Sequence, residues 1–344
     1  MMEGVGSGLL ERLERGPVIC AEGYLFELER RGYVQAGAFV PEVVLDHPEV
    51  VAQLHRDFVH AGSDVVEAFT YYAHREKMRI VGKEHLLEAL NRQALEIAKE
   101  VAAESGALFA GDICNTNVFA DDEASRATVR GMFEEQVGWA VDAGADFVIA
   151  ETFSHAAEAL LALDVIKAAG LPAVVTLTLH RAPVTRDELS PEEACRRLEA
   201  AGADVVGINC GRGPATMLPV LVAIREAVSG HVAALPVPYR THAEQPTFQS
   251  LRDPSWDGQP FPTALDPFMC NRYEIAEFAK EAHGLGVDYL GLCCGAGPHH
   301  VRSLAEALGR TPQASRYSPD MSKHAYFGTD ETLKAENVAF AKDL

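Results

Sequence analysis

With 344 residues, 48% of them apolar, and a formal charge of −20, the chain has material for one large α/β barrel or two ordinary domains. That acidity speaks against nucleic acid and anionic membrane as partners, since both need clustered Lys and Arg, and it fits a soluble, cytoplasmic protein. Residues 1–16 mix both charge signs without a signal-like apolar stretch, no run is long enough to span a bilayer, and seven widely spaced cysteines fit a reducing compartment better than a disulfide framework.

In chain order, eight short apolar runs read as strands. They cover 18–21, 64–69, 108–112, 146–151, 173–178, 204–209, 232–236 and 288–293. Amphipathic stretches of period near 3.6 separate them, at 49–60, 86–104, 126–143, 155–169, 191–201, 214–229, 272–283 and 299–308. A recurring Ala-Gly-x-Asp, as at Ala143-Gly-Ala-Asp146 and Ala201-Gly-Ala-Asp204, marks where a helix stops and a strand begins. Its Gly suits a helix C-cap, and the apolar run after it suits a buried parallel strand. Eight alternations predict a (β/α)8 TIM barrel over residues 1–310. An open doubly wound sheet is the alternative, but no Gly-x-Gly-x-x-Gly follows the first strand. Residues 311–344 read as a short C-terminal extension, either a solvated tail or an arm touching a second copy in a homo-oligomer.

A barrel carries its chemistry at the C-terminal strand ends. Glu22, the group Phe69 to Tyr72, Asp112 to Asn115, Glu151, Cys210, Pro238-Tyr239 and Cys293-Cys294 stand there. The connection from Pro236 to about Cys270 is unusually long and is expected to roof the site. Two of the units are near copies. Val205-Val-Gly-Ile-Asn209 runs into Cys210 and then Gly211-Arg-Gly-Pro214, while Tyr289-Leu-Gly-Leu292 runs into Cys293, Cys294 and then Gly295-Ala-Gly-Pro298. Cys210 and Cys294 each lie six residues after the Asp that opens their unit, so they occupy equivalent places.

Three thiols at strand ends suit a soft metal, and zinc (Zn2+) is the expected ion. Three protein ligands leave a fourth position open. An all-thiolate site is poor at activating water and good at holding a substrate thiol as its thiolate. Cys20, Cys114, Cys195 and Cys270 read as small buried hydrophobes. The two Gly-rich loops either aim backbone N–H groups at a carboxylate, screen thiolate charge, or are ordinary tight turns. Glu151 and Glu22 suit a structural Arg or a substrate ammonium equally. Phe39, Phe69, Tyr71 and Tyr72 are either core or a wall for an onium cation.

At these residues the chain resembles the homocysteine S-methyltransferases, and most of all the betaine-dependent members. The likeness covers about residues 8–310. It is carried by Phe26-Glu-Leu-Glu-Arg-Arg-Gly-Tyr-Val-Gln-Ala-Gly37, Gln53-Leu-His-Arg-Asp-Phe58, Ala61-Gly-Ser63, Phe69-Thr-Tyr-Tyr-Ala73, Gly207-Ile-Asn-Cys210 and Cys293-Cys-Gly295. The resemblance implies zinc on Cys210, Cys293 and Cys294, homocysteine as acceptor, and direct transfer from a methyl-onium donor without folate, cobalamin or flavin. It implies an acceptor amine at Glu151 and Glu22, and substrate contacts from Phe39, Tyr71, Tyr72, Asn209 and Thr152. The chain departs from the family pattern at four places. Ala21-Glu22-Gly23 stands for Asp-Gly-Gly, Phe39 for Trp, Thr152 for Tyr, and Leu292 for Gly.

The leading expectation is methyl transfer from glycine betaine to homocysteine. Neighbouring readings use a sulfonium donor (S-methylmethionine, dimethylsulfoniopropionate or S-adenosylmethionine) or another thiol acceptor. A zinc-binding protein without turnover belongs to another class. A barrel aldolase or lyase would need a strand-end Lys, and none of the eight ends carries one.

Overall fold

The computed structural model describes residues 8–344. Eight parallel strands close into a barrel in sequence order: β1 (Val18–Ala21), β2 (Val65–Glu67), β3 (Leu108–Cys114), β4 (Phe147–Phe153), β5 (Ala173–Leu177), β6 (Val205–Asn209), β7 (His231–Leu235) and β8 (Tyr289–Leu292). Closure runs through β1 and β8, which pair from Val18↔Tyr289 to Ala21↔Leu292. This pairing excludes the open doubly wound alternative, whose edge strands would stay unpaired. Every strand lies inside a run expected from sequence, except that β3 and β4 extend to Cys114 and Phe153 and β7 begins at His231. Among the described residues no helix is long and apolar enough to cross a membrane.

Side chains alternate across each strand and so divide the core in two. Inward residues such as Val18, Cys20, Val65, Leu108, Phe147, Ile149, Val174, Val205, Leu235 and Tyr289 fill the barrel interior. Outward residues such as Ile19, Val66, Phe109, Val148, Val175, Val206 and Leu290 meet the surrounding helices. One helix covers each connection: Pro48–Ala61, Leu87–Ser105, Glu123–Ala143, Ala156–Ala168, Pro191–Ala200, Pro214–Ala227, Arg272–Gly284 and Pro298–Ala307. Short helices at Tyr24–Arg30 and Arg75–Ile80 add to the first two connections, and the sequence pattern did not announce them. Gly62 and Gly144 cap their helices in the left-handed conformation, as the punctuation motif suggests, and Gly106 in Ser105-Gly-Ala-Leu108 does the same.

The Asp of that motif, like Asp288 of the related Leu285-Gly-Val-Asp288, has a further use. Its carboxylate accepts a hydrogen bond from a backbone N–H of the preceding strand. Asp64 takes Ile19 at 2.8 Å, Asp146 takes Phe109 at 2.8 Å, Asp204 takes Ala173 at 2.8 Å and Asp288 takes Val232 at 3.1 Å. Four latches of one design thus stitch neighbouring strands at the base of the barrel, the end remote from the chemistry. Close packing limits residue choice on the strands as well. A Cβ on Gly207 would fall 2.0 Å from the carbonyl oxygen of Ala233 on β7.

The long connection after β7 folds back over the mouth. Phe248 donates its backbone N–H to Gly211 O at 2.8 Å. Its ring meets Phe261 at 4.9 Å, Tyr239 at 5.9 Å and Phe26 at 5.9 Å between centroids. Of the C-terminal extension, Gln313–Tyr317 rests on the outer helices, with Arg302 donating to Ala314 O at 3.5 Å. Farther on, Tyr326 meets Phe340 with ring centroids 6.0 Å apart.

Removing one latch leaves a buried strand N–H without its acceptor. Asp204→Ala is therefore expected to lower the unfolding free energy by about 1–3 kcal/mol. Urea unfolding followed by circular dichroism measures this, and an unchanged midpoint would show the latch to be idle.

Candidate metal centre and active site

β6 and β8 flank β7, and the thiols stand where those two strands end. The sulfurs of Cys210, Cys293 and Cys294 all lie within 4.8 Å of one another. β7 fixes their backbone from between: Cys210 N donates to Leu235 O at 2.9 Å and Cys293 N to Pro236 O at 3.0 Å. A tetrahedral zinc site places its sulfurs about 3.8 Å apart. Three soft donors, buried or nearly so and already gathered, fit such an ion. The Cys210 thiol is held well below its ordinary pKa by hydrogen bonds from Cys293 and Cys294, and backbone N–H groups of Gly211 and Cys294 add to this. Of the Gly-rich loops, the one after β6 thus turns the Gly211 N–H toward the Cys210 sulfur. Burial pushes the Cys293 thiol up, and the bond to Cys210 pushes Cys294 up.

The β8 loop is clamped from outside. Arg30 donates to Gly295 O at 3.0 Å and to Tyr239 Oη at 2.8 Å. A Cβ on Gly295 would come within 2.2 Å of that same Tyr239 oxygen. Glycine is required there both by this approach and by a φ of 95°.

Asn209 joins the thiols to the carboxylates. Its amide nitrogen donates to Glu151 Oε2 at 2.6 Å, to Thr152 Oγ1 at 3.0 Å and to Glu22 Oε2 at 3.1 Å, and it lies 3.9 Å from Cys293 Sγ. Its amide oxygen accepts the Thr152 N–H at 2.9 Å. Thr152 Oγ1 in turn donates to Glu151 Oε2 at 2.7 Å. Asn115 holds the carbonyl of Thr152 at 2.8 Å. One buried amide therefore orients both candidate amine-binding carboxylates beside the cysteine cluster.

The thiols and these acids share one narrow cavity. Its walls also include Tyr24, Leu25, Glu67, Phe69, Tyr71 and Asp112. Tyr71 thus lies with Glu22, Glu151, Thr152 and the three cysteines. Asn209 reaches the group through its hydrogen bonds. Phe39 and Tyr72 are not brought to this cavity. The Phe39 ring packs 5.7 Å from Phe26. Tyr72 stacks 4.4 Å from Tyr71, and the Lys77 ammonium lies 4.7 Å from its ring centre. Tyr72 is an outer neighbour of the wall, and one of its faces already holds a cation.

Glu67 and Asp112 complete the acidic lining; the sequence places Asp112 at the end of the third strand without giving it a role, and Glu67 goes unmarked there. The signal was an acid at an inward position of a short apolar strand, legible only once the register is known. Burial, followed by neighbouring carboxylates, pushes the pKa of Glu22, Glu67 and Asp112 upward. Glu151 is pushed up to about 7, chiefly by burial and then by the charge of Cys210. Phe39, Tyr72, Thr152 and Cys210 all adopt positive φ, at 50°, 61°, 62° and 55°. Such backbone is costly for non-glycine residues and gathers at functional sites.

Known proteins bear on this arrangement. The homocysteine S-methyltransferase family model matches residues 19–308. A betaine–homocysteine S-methyltransferase 1 of Xenopus tropicalis is 37% identical over 337 residues, covering 95% of this chain and 81% of the relative. An S-methylmethionine–homocysteine S-methyltransferase of Pongo abelii is 35% identical, covering 95% and 87%. The homocysteine methyltransferase MmuM of Escherichia coli, solved in a metallated form, superposes with a TM-score of 0.67 at 19% identity, covering 85% of this chain and 97% of that one, which supports the fold. Family model, relatives and barrel agree, and the chain is a methyltransferase belonging to the homocysteine S-methyltransferase family.

Proposed function

We propose that the chain moves a methyl group from glycine betaine to the sulfur of homocysteine, giving methionine and dimethylglycine, with zinc held by Cys210, Cys293 and Cys294. The observation that carries this reading is the placing of three gathered thiols and two Asn209-bound carboxylates in one cavity. Zinc on three thiolates would act as a Lewis acid, lowering the pKa of an acceptor thiol so that it reacts as the thiolate.

The remaining work falls to side chains. Glu151 and Glu22 receive the acceptor's ammonium, and Asn209 keeps both carboxylates turned toward it. Thr152 Oγ1, bonded to Glu151, limits the rotation of that carboxylate. The roof carrying Phe248 restricts water at the mouth. The aromatic wall, with Tyr71 foremost, faces the donor's cationic nitrogen, each such contact contributing roughly 0.5–2 kcal/mol. In the transfer the sulfur lone pair forms the new C–S bond. The C–N bond breaks, and its electron pair stays on the departing dimethylglycine nitrogen. No proton moves in that step, so rate depends on alignment and on keeping the sulfur ionised.

A sulfonium donor is a second reading. It is favoured by one specific observation: a relative named for S-methylmethionine is almost as similar to this chain as the one named for betaine.

Zinc-loaded protein is expected to form methionine from homocysteine with betaine, and a chelator is expected to abolish turnover. Exclusive use of S-methylmethionine in a parallel assay would overturn the donor. No turnover with any onium donor, at one zinc per chain, would overturn the acceptor. Cys210→Ser is expected to reduce bound zinc well below one per chain by elemental analysis. It should also lower kcat/KM by more than about 100-fold, since even outer groups around such ions are worth about 10–100-fold. Full activity in that variant would remove the metal from the scheme.

A pH dependence follows from the buried acids. An unfolded Glu titrates near about 4.3. Folded Glu151 titrates at about 7, and Glu22, Glu67 and Asp112 are also raised. Raised carboxyls contribute stability that is full below the unfolded pKa and lost as pH rises through the folded one. Metal-free protein is thus expected to melt at lower temperature as pH climbs from about 5 to about 8. Scanning fluorimetry across that range tests it, and Glu151→Gln should flatten the slope.

A further inference from the structure

The two near-copied loops at the strand ends differ between their glycines. After β8 that position is Ala296, fully buried. After β6 it is Arg212, only 6% exposed. A place that takes an alanine in one copy thus takes a guanidinium in the other. Arg212 Nη2 donates to the carbonyls of His180 at 2.7 Å and Arg181 at 3.2 Å. Its Nε is buried without a partner, and Nη1 makes no hydrogen bond among the described residues. No carboxylate offsets the charge, and burial alone acts on it. A charge buried in this way is costly unless an ion of opposite sign meets it.

Arg212 lines a groove of about 740 Å³ between the helices Pro191–Ala200 and Pro214–Ala227. No residue of this groove lines the cavity that holds the thiols. Both helices begin at it: Ser190 and Pro191 open one, and Ala215 and Thr216 belong to the first turn of the other. Unused N–H groups and the positive dipole end of a helix start favour an anion. Arg181 and His242 also line the groove, with His242 already bonded to Glu244 at 2.7 Å. Glu192 is the one carboxylate in the lining, and it opposes a second negative charge on any occupant. Farther along the second helix the wall turns apolar, through Pro219, Val220 and Ala223.

We propose that this groove binds a small organic monoanion, a carboxylate carried on an apolar body, with Arg212 as its counter-ion. The helix starts and the guanidinium suit the carboxylate, and the apolar stretch suits the body. Inorganic phosphate fits less well, because its second charge meets Glu192 and it leaves Pro219, Val220 and Ala223 uncovered. The occupant sits beside the loop that carries Cys210 without entering the catalytic cavity.

The probe is phenylacetate, titrated into full-length zinc-loaded protein by isothermal titration calorimetry. Acetate, inorganic phosphate and benzylamine are the comparators. The expected result is one phenylacetate per chain, with acetate and phosphate at least tenfold weaker and benzylamine unbound. Arg212→Met removes the charge and should weaken phenylacetate at least tenfold. Ala223→Trp fills the apolar end and should do the same, with zinc content and methyl transfer unchanged. Ala223 lies outside the catalytic cavity, so this variant carries the test even if Arg212→Met fails to fold. Absence of phenylacetate binding to the parent overturns the proposal. So does binding that either folded variant retains in full. Phosphate as tight as phenylacetate would leave an anion site without an apolar part, and benzylamine as tight would leave an apolar groove without a counter-ion; either overturns it. Displacement by homocysteine would put phenylacetate in the catalytic cavity and overturns it too. None of these readings needs turnover, so the groove and the methyltransferase reading fail separately.

Discussion

Everything at the mouth of this barrel depends on alternation along parallel strands. Side chains point in or out with period two, and closure through β1 and β8 fixes which set is inward. Once Val18 and Cys20 face the interior, Glu22 reaches the cavity. Once Phe147 and Ile149 do, Glu151 does too. A slip of one residue on either strand would turn the carboxylate outward toward the helices. The thiols obey the same constraint from the other side, because β7 lies between β6 and β8 and bonds the backbone of Cys210 and Cys293. The reactive groups are thus positioned by sheet hydrogen bonding, before any side chain meets another.

Local strain sharpens that placement. Cys210 and Tyr72 beyond their strands, and Thr152 at the penultimate place of β4, adopt left-handed backbone, where the chain turns sharply. Each is held by a bond beyond its own segment: Cys210 N to Leu235 O, Thr152 N to Asn209 Oδ1, Tyr72 N to Cys114 Sγ. Such geometry persists only where surroundings over-determine it. Rigid placement of donor atoms suits a reaction that consists largely of aligning sulfur, methyl and leaving group.

Much of this could be read from the residues. The strands were visible because short apolar runs alternate with amphipathic stretches of the right length, and the Ala-Gly-x-Asp motif marks the junctions. The thiol cluster was visible because two units repeat one design, so Cys210 and Cys294 had to occupy matching places. Glu22 and Glu151 were found as strand-end acids, and the structure puts both in the cavity. Other features were hidden for physical reasons. Glu67 sits inside a short strand, where one acid among apolar residues does not reveal its face. Tyr71 and Tyr72 are adjacent, and only the turn at Tyr72 decides which ring meets the cavity. The helix Tyr24–Arg30, at 7 residues, is too short for its periodicity to stand out, yet it supplies Tyr24 and Leu25 to the wall and Arg30 to the clamp.

The aspartate latches separate two kinds of demand on the chain. They act at the base, where Asp64, Asp146, Asp204 and Asp288 each fasten a strand to its predecessor. None of them lines the cavity. The fold is therefore anchored at the end where nothing reacts, and residues at the other end are relieved of that duty. A lineage of such barrels could exchange an acid for an amide, or a large ring for a small one, around the mouth while keeping its foundation. The lack of reciprocity between the two ends gives this architecture a built-in tolerance to changing its substrates.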